Sequence, residues 1–283
     1  MQFPKYFNFW HKLGMHSLRL TAWAVLAFLM LPILVIIPLS FNVEPYFSFT
    51  EGMLAFDPDA YSLKWYAEII NDDKWILAIK NSFLIGAAAT VIATVLGTLA
   101  AIGLSRADMP LQRMIMAILL SPMIVPLIIT AAGMYFFYTQ LGLAGTYMGV
   151  IIAHAALGTP FVIITVNAAL SGFDYSLVRA SLGMGASPSY TFFKVIMPLI
   201  RPGVISGSLF AFITSFDEVV VILFLAGPEQ RTIPRQMFSG LREQINPTIL
   251  AVAVLLVVVS ALLLLTIEYL RARGERIRTG QVS

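Results

Sequence analysis

Residues 114–173 make a run of sixty positions between Arg113 and Asp174 without one Asp, Glu, Lys or Arg. A soluble domain carries about 25% charged residues and has no use for so long an uncharged stretch. The whole chain is 59% apolar and 12% charged over 283 residues, so the run is typical of it. In hydrocarbon every backbone N–H and C=O must be paired within the spanning structure, and helices of about 20 apolar residues do this segment by segment. Six stretches qualify: 18–41, 81–104, 114–138, 147–170, 202–226 and 247–270. The expected fold class is an all-α integral membrane protein with six transmembrane helices.

Lys and Arg in the connections set the orientation. With the N-terminus inside, the inner segments hold Lys5, Lys12, Arg19, Arg106, Arg113, Arg179, Lys194, Arg201, Arg271, Arg273, Arg276 and Arg278. The outer segments hold Lys64, Lys74, Lys80, Arg231, Arg235 and Arg242, half as many, so both termini are expected in the cytoplasm. Residues 1–17 read as an amphipathic lead-in on the inner surface, 18–271 as the six-helix domain and 272–283 as a basic cytoplasmic tail. The first apolar run is longer than the core of a cleaved leader and reads as a retained anchor. The acidic outer segment 42–80 contains "YSLKWYAEII", whose aromatic and aliphatic residues suit a helix on the outer interface.

Much catalytic chemistry is absent. There is no Cys, no G-x-x-x-x-G-K-[ST] phosphate loop, no H-E-x-x-H and no G-x-S-x-G. His11 and His16 lack the partners that would complete a metal site. His154, inside the fourth span, suits a hydrogen bond between helices. The chain is expected not to be an enzyme, to hold no cofactor or metal, and to contact lipid but no nucleic acid.

Two segments remain informative. In "SGFDYSLVRASLGMGASPSYTFFKVIMPLIRPG", Asp174 or Ser176 can cap a short helix ending at Gly183 and Gly185; Ser187 and Pro188 then start a second helix. The result is an elbow at residues 171–203. In "ITSFDEVVVILFLAG", Asp217 and Glu218 sit within the fifth span, about 22 Å along it from Pro202. An Asp at a helix centre costs about 2.5–3.5 kcal/mol to insert, so neither carboxylate faces lipid. Adjacent helix residues point about 100° apart, and both cannot look down one pore. Two readings stay open for each: a pathway site that attracts a cation, or a polar bracket between helices or subunits. Tyr135 and Tyr138 can add ring faces for an ammonium.

The elbow resembles the EAA loop, E-A-A-x3-G-x9-I-x-L-P, of the permease subunits of bacterial binding-protein-dependent ABC importers. The matching positions are Arg179, Ala180, Ser181, Gly185, Val195, Met197 and Pro198, with Ala186 and Ser187 in the turn between. "NSFLIGAAATVIATVLGTLAAIGLSR" and "SFDEVVVILFLAGPEQRTIPRQMFSGLREQINPTI" resemble the spermidine/putrescine branch, whose relatives are associated with polyamines, opines, 4-aminobutyrate and aminoalkylphosphonates. The resemblance implies a type I ABC importer permease fold in the bacterial inner membrane, a second homologous permease subunit, two cytoplasmic ATPase subunits that bind ATP and Mg, and an extracytoplasmic solute-binding protein. It makes residues 171–203 the ATPase-coupling loop, with Arg179 where the family often has Glu, a reversal that calls for an acidic partner. Arg231, Arg235 and Arg242 in the last outer loop become candidates for docking the binding protein. The alternative is an ion-coupled secondary carrier or channel that works without an ATPase.

Overall fold

The computed structural model describes residues 8–106, 109–243 and 246–278. The helices in chain order are α1 (Phe9–Leu39), α2 (Glu51–Leu54), α3 (Lys64–Asn71), α4 (Asp73–Leu104), α5 (Gln112–Ile124), α6 (Leu127–Gln140), α7 (Tyr147–Leu170), α8 (Ser176–Gly183), α9 (Pro188–Thr191), α10 (Met197–Asp217), α11 (Val220–Leu225), α12 (Ile233–Glu243) and α13 (Thr248–Arg278). Phe9–Leu39, Asp73–Leu104, Tyr147–Leu170 and Pro188–Asp217 are each long and apolar enough to span a bilayer. The bent pair α5 and α6 makes a fifth if it is counted as one span, and α13 is apolar over Thr248–Leu262, so among the described residues four or five of the six expected spans are long and apolar enough to cross. By its contacts the chain divides into two compact units, residues 1–72 with 240–283 and residues 73–239.

In the first unit α1 runs unbroken from Phe9, so the described residues 9–17 of the expected lead-in are helical and continuous with the span. Lys5 and residues 279–283 of the tail lie outside the described residues, and residues 272–278 extend α13. Asn42 is fully buried and organises the segment after α1. Its Nδ2 donates to the Tyr46 and Ser48 carbonyls, its Oδ1 accepts from Glu44 N–H, and its carbonyl accepts from Trp65 Nε1 at 2.7 Å. Within "YSLKWYAEII", α3 packs Trp65 and Ile69 into this unit, while Tyr61, Leu63 and Ile70 are exposed. Glu68 on α3 accepts from Asn246 and Thr248 at the start of α13, and Asn246 Oδ1 caps that helix through Thr248 N–H.

The second unit is built on α4, α7 and α10. Without a hydrophobic drive between helices in lipid, close packing must hold them, and small residues permit it. A Cβ on Gly97 of α4 would lie 2.6 Å from Val162 Cβ of α7. One on Gly207 of α10 would lie 2.4 Å from Thr165 Oγ1 and 2.8 Å from Val162 Cα. Ala89, Ala93 and Ala101 of α4 and Ala211 of α10 are buried in the same layer. Directions follow from the pairs. Asn81 meets Tyr147 and Gly97 meets Val162, so α4 and α7 run parallel; Gly203 meets Ala169 and Gly158 meets Ala211, so α10 runs antiparallel to both.

Two expected spans are broken. Residues 114–138 bend by 104° between α5 and α6. Pro126 disfavours helix at the residue before it, and Val125 is extended with ψ 136°. Residues 202–226 also fail to form one helix: α10 stops at Asp217 and α11 starts at Val220. The second break falls at Asp217 and Glu218, the two charges within the expected span.

Gly207→Ala is expected to overpack the α7–α10 contact, at a cost of about 1–3 kcal/mol, and to lower the melting temperature of the detergent-purified protein. Gly103→Ala, with no atom within 4 Å of the new Cβ, is the matched control and should leave it unchanged.

Candidate functional site

The two acids separate because of where α10 faces. Gly203, Gly207, Ala211 and Ser215 recur every four residues on the side that meets α7. Glu218, three residues beyond Ser215, stays near that side and is 8% exposed. Asp217, two residues beyond, is turned by about 200° and is exposed. At Glu218 the backbone leaves the helix with ψ 120°, and Glu218 Oε1 accepts from Val221 N–H at 2.9 Å. The carboxylate thus satisfies an amide that the start of α11 would leave unpaired in a low-dielectric setting. The last carbonyls of α10 meet no succeeding amide in helical register, which leaves the partial negative end of the helix beside Asp217. Asp217 is thus the exposed acid of the pair, and Glu218 the buried one bonded to the start of α11.

His154 of α7 is buried, and its Nδ1 lies 2.8 Å from Ser215 Oγ. Its Nε2 has no hydrogen-bond partner among the described residues. Leaving a lone pair unpaired costs less than leaving an N–H unpaired, so the proton belongs on Nδ1 and Ser215 accepts it. Tyr135 is 39% exposed, whereas Tyr138 is 7% exposed and packs with Val221, Ile222 and Leu225. That placement removes Tyr138 from the ring faces open to a solute.

The elbow folds from local chemistry. Asp174 Oδ1 accepts from Ser176 N–H at 2.8 Å and its Oδ2 from Ser176 Oγ at 2.6 Å. These bonds, with Arg179 nearby, hold the Asp174 carboxyl below the usual carboxylate range. Gly185, at φ +83°, ends α8: Gly185 N–H bonds the Leu182 carbonyl and Ala186 N–H bonds the Ser181 carbonyl. This is the double bond pattern that closes a helix through a left-handed residue. Gly183 is the last residue of α8 and carries no such turn. Ser187 caps α9 through Tyr190 N–H. Two features escape sequence reading. Ser181 Oγ bonds Thr191 Oγ1 at 2.9 Å across the elbow, and Tyr175 OH bonds Ser105 Oγ at 2.6 Å at the end of α4. The second arm also does not stop before the span: α9 passes through a π-helical turn, Phe192–Ile196, directly into α10, which begins at Met197 and Pro198. Arg179 and Ala180 are exposed.

Two of the three loop arginines are braces. Arg235 Nη1 donates to the Ala226 and Gly227 carbonyls, and Arg231 Nη1 to Gln236 Oε1. Burial, with the Arg231 charge adding to it, lowers the Arg235 pKa from its ordinary value. The Arg242 side chain lies outside the described residues. The loop closes on Asn81, whose Nδ2 donates to the Glu229 and Arg231 carbonyls and whose Oδ1 accepts from Tyr147 OH. Ser82 Oγ accepts from Ile233 N–H at the start of α12. The first unit has a separate cavity of about 580 Å³ bordered by Glu44, Glu51, Asp57 and Asp59, and none of the site residues predicted from sequence lines it.

Known proteins share this architecture. The chain is 28% identical over 259 residues to the spermidine/putrescine transport system permease protein PotC of Escherichia coli K12, covering 92% of this chain and 95% of PotC. It is 31% identical over 262 residues to the putrescine transport system permease protein PotI of the same strain, covering 89% of each. A chain in the crystal structure of a bacterial ABC transporter involved in the import of the acidic polysaccharide alginate superposes with a TM-score of 0.72 at 15% identity, covering 94% of this chain and 99% of that one. The fold is that of a type I ABC importer permease. The model of the binding-protein-dependent transport system inner membrane component matches residues 93–275. By that match, from within α4 to within α13, the chain belongs to the inner-membrane component family of binding-protein-dependent transport systems.

Proposed function

We propose that this permease subunit lines half of the pathway by which an ATP-driven importer carries a small organic cation of the polyamine class. Relatives named for spermidine and putrescine transport support the substrate class. The observation that carries the pathway reading is the end of α10, where the exposed Asp217 carboxylate sits beside the unpaired carbonyl end of the helix. A primary ammonium brings three N–H donors and one positive charge, and a carboxylate with helix-end carbonyls supplies matching acceptors. Tyr135, 39% exposed, remains the candidate ring face for such a cation. Glu218 takes the bracket reading, because its side chain is bonded to the start of α11. No observation favours a stand-alone ion-coupled carrier.

In this reading both termini are cytoplasmic, and a second homologous permease supplies the other half of the pathway. Two ATPase subunits bind ATP and Mg and receive the elbows through exposed Leu182, Met184 and Tyr190, with Arg179 meeting an acidic residue. Because α9, the π turn and α10 form one continuous arm, displacement of the elbow moves Asp217 with it. An extracytoplasmic solute-binding protein docks on the opposite side, where α12 exposes Phe238 and where Arg231 and Arg235 shape the loop from within; Arg242 is a further candidate by its place in the sequence.

The chain has no cysteine, so single thiols report cleanly. In the assembled complex, with cysteine-free partner subunits, Asp217→Cys should react with a charged, membrane-impermeant thiosulfonate and be protected by putrescine, while Glu218→Cys should not react. Failure of Asp217→Cys to react would place that face against lipid or protein and end the pathway reading. Asp217→Asn should lower putrescine uptake about tenfold or more, the range of one charge-assisted hydrogen bond. Gly185→Val puts a β-branched residue at φ +83° and should leave ATP turnover running while uptake falls; coupled uptake at the native rate would refute the elbow's role.

A further inference from the structure

The pathway reading leaves one question of geometry: what holds the carboxylate of Asp217 in its direction when the helix that carries it ends at that residue. A helix end is normally steadied by amides of the residues that follow, but the chain turns extended at Glu218, and the Glu218 side chain is bonded forward to Val221 rather than back to α10. The last turn of α10 therefore depends on side-chain contacts. On the α4 side these are aromatic: Phe216 lies 5.2 Å from Phe83, ring centre to ring centre. Such contacts tolerate rotation. On the α7 side there is a directional one, His154 Nδ1 to Ser215 Oγ, at 2.8 Å and buried at both ends.

We infer that His154 is a positioning residue for the pathway: by holding Ser215 against α7 it directs Asp217, about 200° further around α10, away from the helix contact and toward the solute. The inference rests on the pathway reading of Asp217. Two observations argue against packing as the whole role of His154. An apolar residue would fill a buried position between two helices more cheaply than an imidazole. The ring also leaves Nε2 without a partner among the described residues, a cost that packing alone does not explain. A hydrogen bond that fixes the rotation of the final turn gives the imidazole a use that an aliphatic side chain lacks.

The test measures the modification rate of Asp217→Cys by the cationic thiosulfonate in the assembled complex, counting only protein that co-purifies with its partner subunits. Ser215→Ala and His154→Leu should each slow the reaction about tenfold. The double variant should be no slower than either, because both remove the same bond. His154→Asn, whose amide nitrogen occupies the place of Nδ1, should restore the native rate. A purely structural role predicts lower yield of complex and an unchanged rate in what assembles. If His154→Leu does not assemble, Ser215→Ala alone decides. An unchanged rate in Ser215→Ala overturns the inference while the pathway reading stands, whereas an unreactive Asp217→Cys in the otherwise native chain removes both.

Discussion

The contact between α7 and α10 is made by backbone on one side and side chain on the other, and the rest of the second unit follows from it. At Gly207 the two helices are so close that a methyl group would collide with Thr165 and Val162. Interiors packed to this density do not deform continuously, so the helices have one register. With Gly203, Gly207, Ala211 and Ser215 committed to that side, rotation per residue decides the fate of the next charged positions. One carboxylate turns outward and the other inward. Two acids that look equivalent in the sequence thus acquire different work from an interface several turns away.

The break after Asp217 is the second consequence. Interrupting a helix within a membrane leaves amides and carbonyls without partners, which hydrocarbon does not forgive. Here the amide side is answered by Glu218 through Val221 N–H and the carbonyl side is left for something else. The same asymmetry occurs at the other end of the arm. The elbow is closed by Ser and Asp caps, a left-handed Gly185 and the Ser181–Thr191 hydroxyl pair, so its polar groups are largely spoken for and its apolar side chains face outward. A self-satisfied end suits recognition by another protein surface, and an unsatisfied end suits a polar solute.

Features decided within a few residues were legible in the sequence. The span 147–170 coincides with α7 because Thr146 caps its start through Gly149 N–H. The elbow was legible for the same reason, since Asp174, Gly185, Ser187 and Pro188 each act on their immediate neighbours. What was hidden depends on distant residues. The loop arginines read as docking candidates because nothing near them announces that the loop closes on Asn81, 148 residues before Glu229. The end of α10 at Asp217 was marked by two charges but read as helix interior, because Val219 to Leu225 is apolar whichever way it folds and periodicity is silent when every face is apolar. Tyr138 read as a ring open to solute until α11 was seen to cover it.

The π-helical turn at Phe192–Ile196 has a consequence for how this arm can evolve. Pro188 to Asp217 is one continuous lever of about 45 Å. A π turn amounts to a single residue carried in excess of α-helical register. Losing that residue would leave both ends individually well formed, yet it would swing the far end by about 100° relative to the near one. The length of the segment between elbow and carboxylate is therefore a phase setting. Point substitutions along it are tolerable where they pack, but insertions and deletions are tolerable only in combinations that return the screw to the same angle.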